Sequence, residues 1–386
     1  MIYLDNAATS FPKPRRVWEE QERCMRIYCG NPGRGSHVLA MRAAEKIYDC
    51  RAEAAEFFDV PTPEQVIFTL NTTGALNMAI KGLLHAGDHV LLSDMEHNAV
   101  FRPVYKLAQE GKITYDLFPT PLSEPEMTAE TLCAGIEQRI CPGTRMLICA
   151  HASNLCGVSL PIEAIGAVCK KHGILFVVDA AQSAGVLPLS MQSAGIDALC
   201  VPGHKGLWGP QGCGMLILGA NVSADTLMEG GSGYHSLDGN MPADPPERYE
   251  AGTLPTPAIA GLLEGIREVR KLGTGQIFAH ESGLCRELQD ALAEMQGIRV
   301  YAPEHPGSVL LFSLEGVPAD AVGSELDRLG FCVRAGYHCA ALAHASLKTP
   351  PGGAVRVSPG WHTTKREMRS FADAVAKLSR ELQAEQ

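Results

Sequence analysis

Between Gln65 and Leu218, short apolar runs alternate with segments whose apolar residues recur at helical spacing, and few architectures accept that order. The runs Gln65–Thr69, His89–Ser93, Ile113–Leu117, Arg145–Ala150, Leu175–Val178, Ala198–Val201 and Gly214–Leu218 read as strands. Thr72–Leu84, Ala99–Glu110, Ala129–Arg139 and Ile162–His172 read as helices. This alternation predicts an α/β fold with a mainly parallel sheet covered by helices on both faces. Loops distant in sequence then meet along the carboxyl edge of the sheet, where such folds bind ligands. Two more helices are expected upstream, from Pro12 and Pro14 to about Tyr28 and from Val38 to about Phe58. After Gly219 the pattern changes. A Gly- and Pro-rich loop runs through Pro246, and a long helical stretch from Ala258 to Met295 breaks at Gly273–Gly275. Strands near Arg299, Val309–Leu314, Phe331–Val333 and Ala354–Ser358, with helices near Ala319–Leu329 and Lys365–Leu382, predict a smaller α+β domain. The expected division is an N-terminal arm (1–14) packed on the small domain, a large domain (15–254) and the small domain (255–386).

Two polar residues interrupt the apolar pattern where a ligand would sit. The segment from Asp197 to Gly214 is strand, break, strand, and its break carries His204 and Lys205. A lysine between buried strands loses hydration and tends to shed its proton, and a neutral amine can form a Schiff base with a carbonyl. A lysine on a loop tip can also simply extend to solvent. Upstream, Ile174–Val178 is fully apolar and ends in Asp179. That carboxylate either caps the next helix or holds a pyridinium nitrogen. Taken together, Asp179 and Lys205 favour pyridoxal 5'-phosphate (PLP) as cofactor. The helix opening Thr72-Thr73-Gly74 offers hydroxyls and free amides to an anion, a use compatible with plain capping. Neither a Walker lysine nor a GxGxxG pattern occurs, which argues against a nucleotide loop.

Charge and cysteine usage narrow the partners. Against 43 acidic residues stand 33 basic ones, a net −10, which disfavours a nucleic-acid or anionic-membrane surface. The 13 cysteines show no CxxC pair and no zinc spacing, so no metal site is expected. No signal peptide and no membrane-spanning apolar run are read, and a reducing cytoplasm suits so many thiols.

With these residues in view, the chain resembles PLP enzymes of the class V aminotransferase superfamily (fold type I, aspartate aminotransferase-like), above all the cysteine desulfurase and selenocysteine lyase branch. The resemblance runs from Tyr3-Leu-Asp-Asn-Ala-Ala-Thr9 through Arg356. It implies that Lys205 carries the cofactor, Asp179 pairs with its ring nitrogen, Gln182 meets the ring oxygen and His97 stacks on the ring. Asn154 would lie near ring oxygen and substrate. Thr72, Thr73 and His204 would bind the phosphate, and Thr253 would reach the phosphate of a second subunit, implying a homodimer with shared sites. Arg356 would fork onto the substrate carboxylate, with Arg34 and Arg334 lining the same pocket. Cys339, in Arg334-Ala-Gly-Tyr-His338-Cys339, matches the family's active-site cysteine, a nucleophile that would accept sulfur as a persulfide.

The implied reaction converts L-cysteine to L-alanine, with sulfur passed on to an acceptor protein or small thiol. Selenocysteine lyase on L-selenocysteine is the alternative, followed by another class V reaction such as transamination or β-elimination. Departures from the family pattern point to a divergent subgroup. Pro202 stands where a phosphate-binding serine is usual, Gly33 replaces a histidine, and Pro359-Gly-Trp361 follows Arg356.

Overall fold

In a computed structural model of the chain, residues 1–384 are described apart from 34, 123, 125, 235, 236 and 305. The elements run β1 (Ile2–Tyr3), α1 (Arg15–Arg23), a π-helical turn (Cys24–Tyr28) and α2 (Val38–Phe57). Then come β2 (Val66–Thr69), α3 (Thr72–Leu83), β3 (His89–Ser93), α4 (Asn98–Gln109), β4 (Thr114–Phe118) and α5 (Ala129–Glu137). They continue with β5 (Thr144–Ala150), α6 (Ile162–His172), β6 (Leu175–Asp179), β7 (Ala198–Pro202) and β8 (Gly214–Leu218). The second part holds α7 (Thr256–Leu272), α8 (Thr274–Ala293), β9 (Ile298–Tyr301), β10 (Leu310–Leu314) and α9 (Ala319–Arg328). It ends with β11 (Phe331–Cys332), β12 (Arg334–Gly336), α10 (Ala341–Leu347), β13 (Ala354–Val357) and α11 (Lys365–Ala384).

The large sheet has seven strands in the order β2-β8-β7-β6-β5-β3-β4. It is parallel from β4 to β7, and β8 runs antiparallel to both of its neighbours. Strand alternation explains its two cores. Leu147, Cys149, Phe176, Val178, Leu199 and Val201 face one helical layer, while Met146, Ile148, Val177, Ala198 and Cys200 face the other. Burying each large aliphatic side chain contributes about 1.5–3 kcal/mol, so the central strands tolerate no polar residue until their ends. There, Asp179 closes β6.

From β3 the chain turns outward through α4 to β4, then crosses back through α5 to β5 and on to β6 and β7. The reversal between β3 and β5 opens a crevice at their carboxyl ends. His97 follows β3 and caps α4, its Nδ1 accepting the Ala99 amide at 3.0 Å. Asn154 follows β5.

The small sheet is antiparallel, in the order β12-β13-β10-β9. The arm joins it: β1 pairs in parallel with β11, and Asp5 bridges to Ser358. The apolar face of α7 packs into the large-sheet core through Ile259, Leu262, Leu263 and Ile266, and the helical stretch breaks at Gly273. Two details differ from the sequence expectation. The strand expected over Phe331–Val333 is two short strands divided at Val333, and α10 is a helix beyond those the sequence pattern predicts. No helix among the described residues is long and apolar enough to cross a membrane.

Candidate active site

Four strand ends supply one pocket. His97 comes from β3, Asn154 from β5, Asp179 and Gln182 from β6, and His204 and Lys205 from β7; Thr72 and Thr73 at the start of α3 complete it. Asn71 caps α3 at the Gly74 amide, 2.9 Å away. The first-turn amides of a helix have no intrahelical acceptor and are available to an anion.

The electrostatics follow from burial. Asp179 is 3% exposed and accepts the Ala181 amide at 2.9 Å. Burial raises its pKa, while that bond and Lys205 oppose the rise. Burial lowers the Lys205 amine to about 8, with Asp179 pulling it back up. Burial and the nearby Lys205 charge lower His97 to about 4. A neutral His97 whose Nδ1 accepts from Ala99 carries its proton on Nε2. His204 is likewise lowered to about 4, and its Nδ1 is buried without a partner. Pro202, at the end of β7, offers no hydroxyl to the pocket; Thr72 and Thr73 do.

The arm is bonded to the strand-end residues of this pocket. The His204 carbonyl accepts from Thr9 Oγ1 at 3.0 Å, the Ser10 amide at 3.1 Å and Lys13 Nζ at 2.7 Å. Ser10 Oγ donates to the Lys205 carbonyl at 2.9 Å, and Gln182 Nε2 donates to the Ala7 carbonyl at 3.0 Å. Asp5 takes Arg356 Nη2 at 2.7 Å and Arg334 Nη2 at 3.0 Å. Arg356, 3% exposed, also donates from Nη1 to the Asn154 carbonyl at 3.1 Å, and its buried Nε has no partner. Cys339 is exposed. Its carbonyl accepts the Asn98 amide at 2.7 Å, and Asn154 Nδ2 donates to the His338 carbonyl at 2.9 Å. The cysteine loop therefore sits against the β3 and β5 ends of the crevice.

Eight of the residues expected from the sequence thus line one pocket; Arg356 is tied to it through Asn154, the Cys339 carbonyl is held by Asn98 beside His97, and Arg334 shares Asp5 with Arg356. Thr253 is elsewhere, in a cleft with Asn31, Tyr48, Arg51 and Glu250, where Asn31 Nδ2 reaches its hydroxyl at 3.4 Å. Arg34 lies outside the described residues. Asp5 and Lys13, which bond Arg356, Arg334 and the His204 carbonyl, were not singled out from the sequence. Asp5 stood in the Tyr-Leu-Asp run, and a lysine flanked by Pro12 and Pro14 was the available signal for Lys13.

The Aminotransferase class-V family model matches residues 2–371. A probable cysteine desulfurase of Pyrococcus abyssi is 32% identical over 398 residues, covering 100% of this chain and 96% of the relative. One of Methanothermobacter thermautotrophicus is 31% identical, covering 98% and 94%. Among solved structures, an apo cysteine desulfurase from Thermococcus onnurineus superposes with TM-score 0.87 at 29% identity, covering 98% of this chain and 95% of that one. A cysteine desulfurase of Escherichia coli superposes with TM-score 0.88 at 27% identity, covering 98% and 94%.

Proposed function

We propose that this chain, which belongs to the aminotransferase class-V family, is a PLP-dependent cysteine desulfurase. The observation that carries the reading is the shared pocket of Lys205 and Asp179 at the ends of adjacent strands, with Cys339 and Arg356 tied to its rim. The residues present suit the cofactor. The unpartnered His204 Nδ1 and the start of α3 suit a phosphate, and buried Asp179 suits a ring nitrogen. Gln182 and Asn154 would meet the ring oxygen, each with one amide N–H left beyond the bond already described. PLP, when bound, supplies a carbonyl that condenses with amines and a ring that takes up an electron pair.

The chain's own groups do the rest. Arg356 has a buried, unpartnered Nε to offer the substrate carboxylate, and Arg334 adds charge beside it. Lys205 Nζ, with its pKa near 8, exchanges a proton with the substrate Cα. Neutral His97 is the second group able to move a proton there. Cys339 Sγ, as thiolate, attacks the substrate sulfur. The carbon–sulfur bond breaks with its pair left on carbon, the sulfur stays on Cys339 as a persulfide, and protonation of the carbon gives alanine. A thiol of an acceptor protein or small molecule then takes the sulfur.

A homodimer belongs to the same proposal. Thr253 is remote from its own pocket, and Val38, Leu39, Met41 and Tyr48 are exposed on α2, whose Tyr48 lines the Thr253 cleft. Partner-subunit phosphate is the ligand proposed for Thr253.

The test is spectroscopic and chemical. The purified protein should absorb near roughly 400 nm, and Lys205→Ala should abolish that band. L-Cysteine should yield sulfide and alanine, and Cys339→Ala should keep the band while losing at least about 100-fold in rate. Unchanged cysteine turnover without Cys339 overturns the persulfide role. Turnover of selenocysteine alone makes the protein a lyase for that amino acid. A protein that cannot take up PLP overturns the whole reading.

A further inference from the structure

His338 and Cys339 both adopt left-handed backbone, with φ of 51° and 56°. Two successive non-glycine residues in that region are costly, and they persist only where the surroundings over-determine them. Asn154 and Asn98 hold the two carbonyls from the large-domain side, as described above. From the other side, the Arg334 carbonyl and two side chains in series hold the His338 ring. His338 Nε2 lies 3.1 Å from the Arg334 carbonyl, His338 Nδ1 lies 3.2 Å from His344 Nε2, and His344 Nδ1 lies 2.8 Å from Thr349 Oγ1. The two imidazoles meet edge to edge, their centroids 5.4 Å apart and their planes within 9°, and they are 9% and 3% exposed.

The proton positions in this chain follow from one end. The Arg334 carbonyl can only accept, so His338 Nε2 carries a hydrogen and its Nδ1 accepts. His344 must then donate from Nε2 and accept at Nδ1, and Thr349 must donate its hydroxyl. Burial keeps both rings neutral, lowering His338 to about 3 and His344 to about 4. Every ring nitrogen is thereby satisfied in one tautomeric arrangement, a demand a space-filling side chain would not make.

We propose that His344 is a positioning residue that, through His338 and with Thr349 orienting it, latches the left-handed turn and fixes Cys339 at the mouth of the site. The inference rests on the reading of Cys339 as sulfur acceptor. Its latch can be tested without turnover.

The experiment compares wild type, His344→Leu, His344→Gln and Thr349→Val as cofactor-loaded enzymes. Leucine fills the space without a donor, whereas glutamine keeps an N–H where Nε2 stood. Amide hydrogen exchange of Asn98 and Ala340, whose acceptors are the Cys339 and Tyr337 carbonyls at 2.7 and 2.9 Å, should speed up about tenfold in His344→Leu. Amides of α6 should not change. The kcat for L-cysteine should fall about tenfold with KM within about twofold, because displacement of a nucleophile acts on the chemical step. His344→Gln should restore both, and Thr349→Val should show a weaker effect of the same sign. If His344→Leu does not fold, Thr349→Val against His344→Gln carries the comparison. Unchanged exchange in these variants, faster exchange with unchanged kcat, or failure of glutamine to rescue overturns the proposal. Should the wild type not act on cysteine, the desulfurase reading falls while the exchange data still decide whether the latch exists.

Discussion

Asp5 Oδ1 holds Arg356 Nη2 at 2.7 Å and leaves the Arg356 Nε edge buried and unpartnered. One carboxylate from the arm thus half-neutralises the guanidinium and keeps a donor free for an anion. Its charge and its geometry have opposite effects on substrate binding. Asp5→Asn keeps an acceptor for Nη2 and removes the competing charge, so KM for L-cysteine should fall about threefold. Asp5→Ala removes the acceptor as well, so KM should rise about tenfold. Both should lose about 3 kcal/mol of stability, since Arg356 is left buried without its counter-charge. Steady-state kinetics with urea unfolding check the pair. Equal KM changes in the two variants would show that Asp5 acts only by charge.

Gly353 has φ of 85°, and a Cβ there would lie 2.1 Å from the Gly336 carbonyl oxygen. The strands β12 and β13 meet at this point, directly before the cysteine turn. Gly353→Ala adds both backbone strain and a collision with main chain that has no rotamer to escape through. A loss of about 3 kcal/mol is expected in urea unfolding, a size reserved for such mechanisms.

Glu281 on α8 is 6% exposed and lines a cavity that also reaches Lys205 and Gln182. Burial raises its carboxyl to about 8. The folded chain therefore keeps this proton between pH 4.5 and about 8, where the unfolded chain has released it. Stability from this group is full below pH 4.5 and is lost as pH rises through that window, at most about 1.4 kcal/mol per unit. Glu281→Gln carries no titrating group, so its unfolding free energy should fall less between pH 5 and 8, by up to about 4 kcal/mol. Identical pH profiles for the two proteins would mean that Glu281 ionises freely in the fold.

The large sheet was legible because its central strands are buried on both faces, so Leu175–Val178 and Ala198–Val201 are unbroken apolar runs and their polar ends stand out. Asp179 and Lys205 could be picked from that contrast alone. The cysteine segment beside the small sheet lacked it. Arg334-Ala-Gly forms β12 at the edge of a sheet with no apolar alternation, and α10 has only seven residues. The pairing of His338 with His344 depends on the left-handed turn between them, which no periodicity encodes. Asp5 and Arg356 are 351 positions apart, and the seating of the arm on β11 and its bridge to Ser358 bring them together.

The Lys205 amine titrates against two opposing influences, burial pushing its pKa down and Asp179 pushing it up, with the balance near 8. Only the neutral amine can attack an aldehyde. Uptake of PLP by the cofactor-free protein should therefore quicken as pH rises and level off above about 8. Asp179→Asn removes the charge that favours the protonated lysine and leaves the burial in place. The midpoint for uptake should then move to lower pH, although the bound cofactor is held less tightly for want of a carboxylate at its ring nitrogen. Stopped-flow absorption between pH 6 and 10, roughly the span that brackets a lysine lowered this far, separates the two effects. The rate midpoint reports the amine, and the dissociation constant reports the ring contact. A midpoint that stays at or rises above the wild-type value in Asp179→Asn would mean that the carboxylate does not act on Lys205, and the electrostatic coupling of the two residues would have to be abandoned.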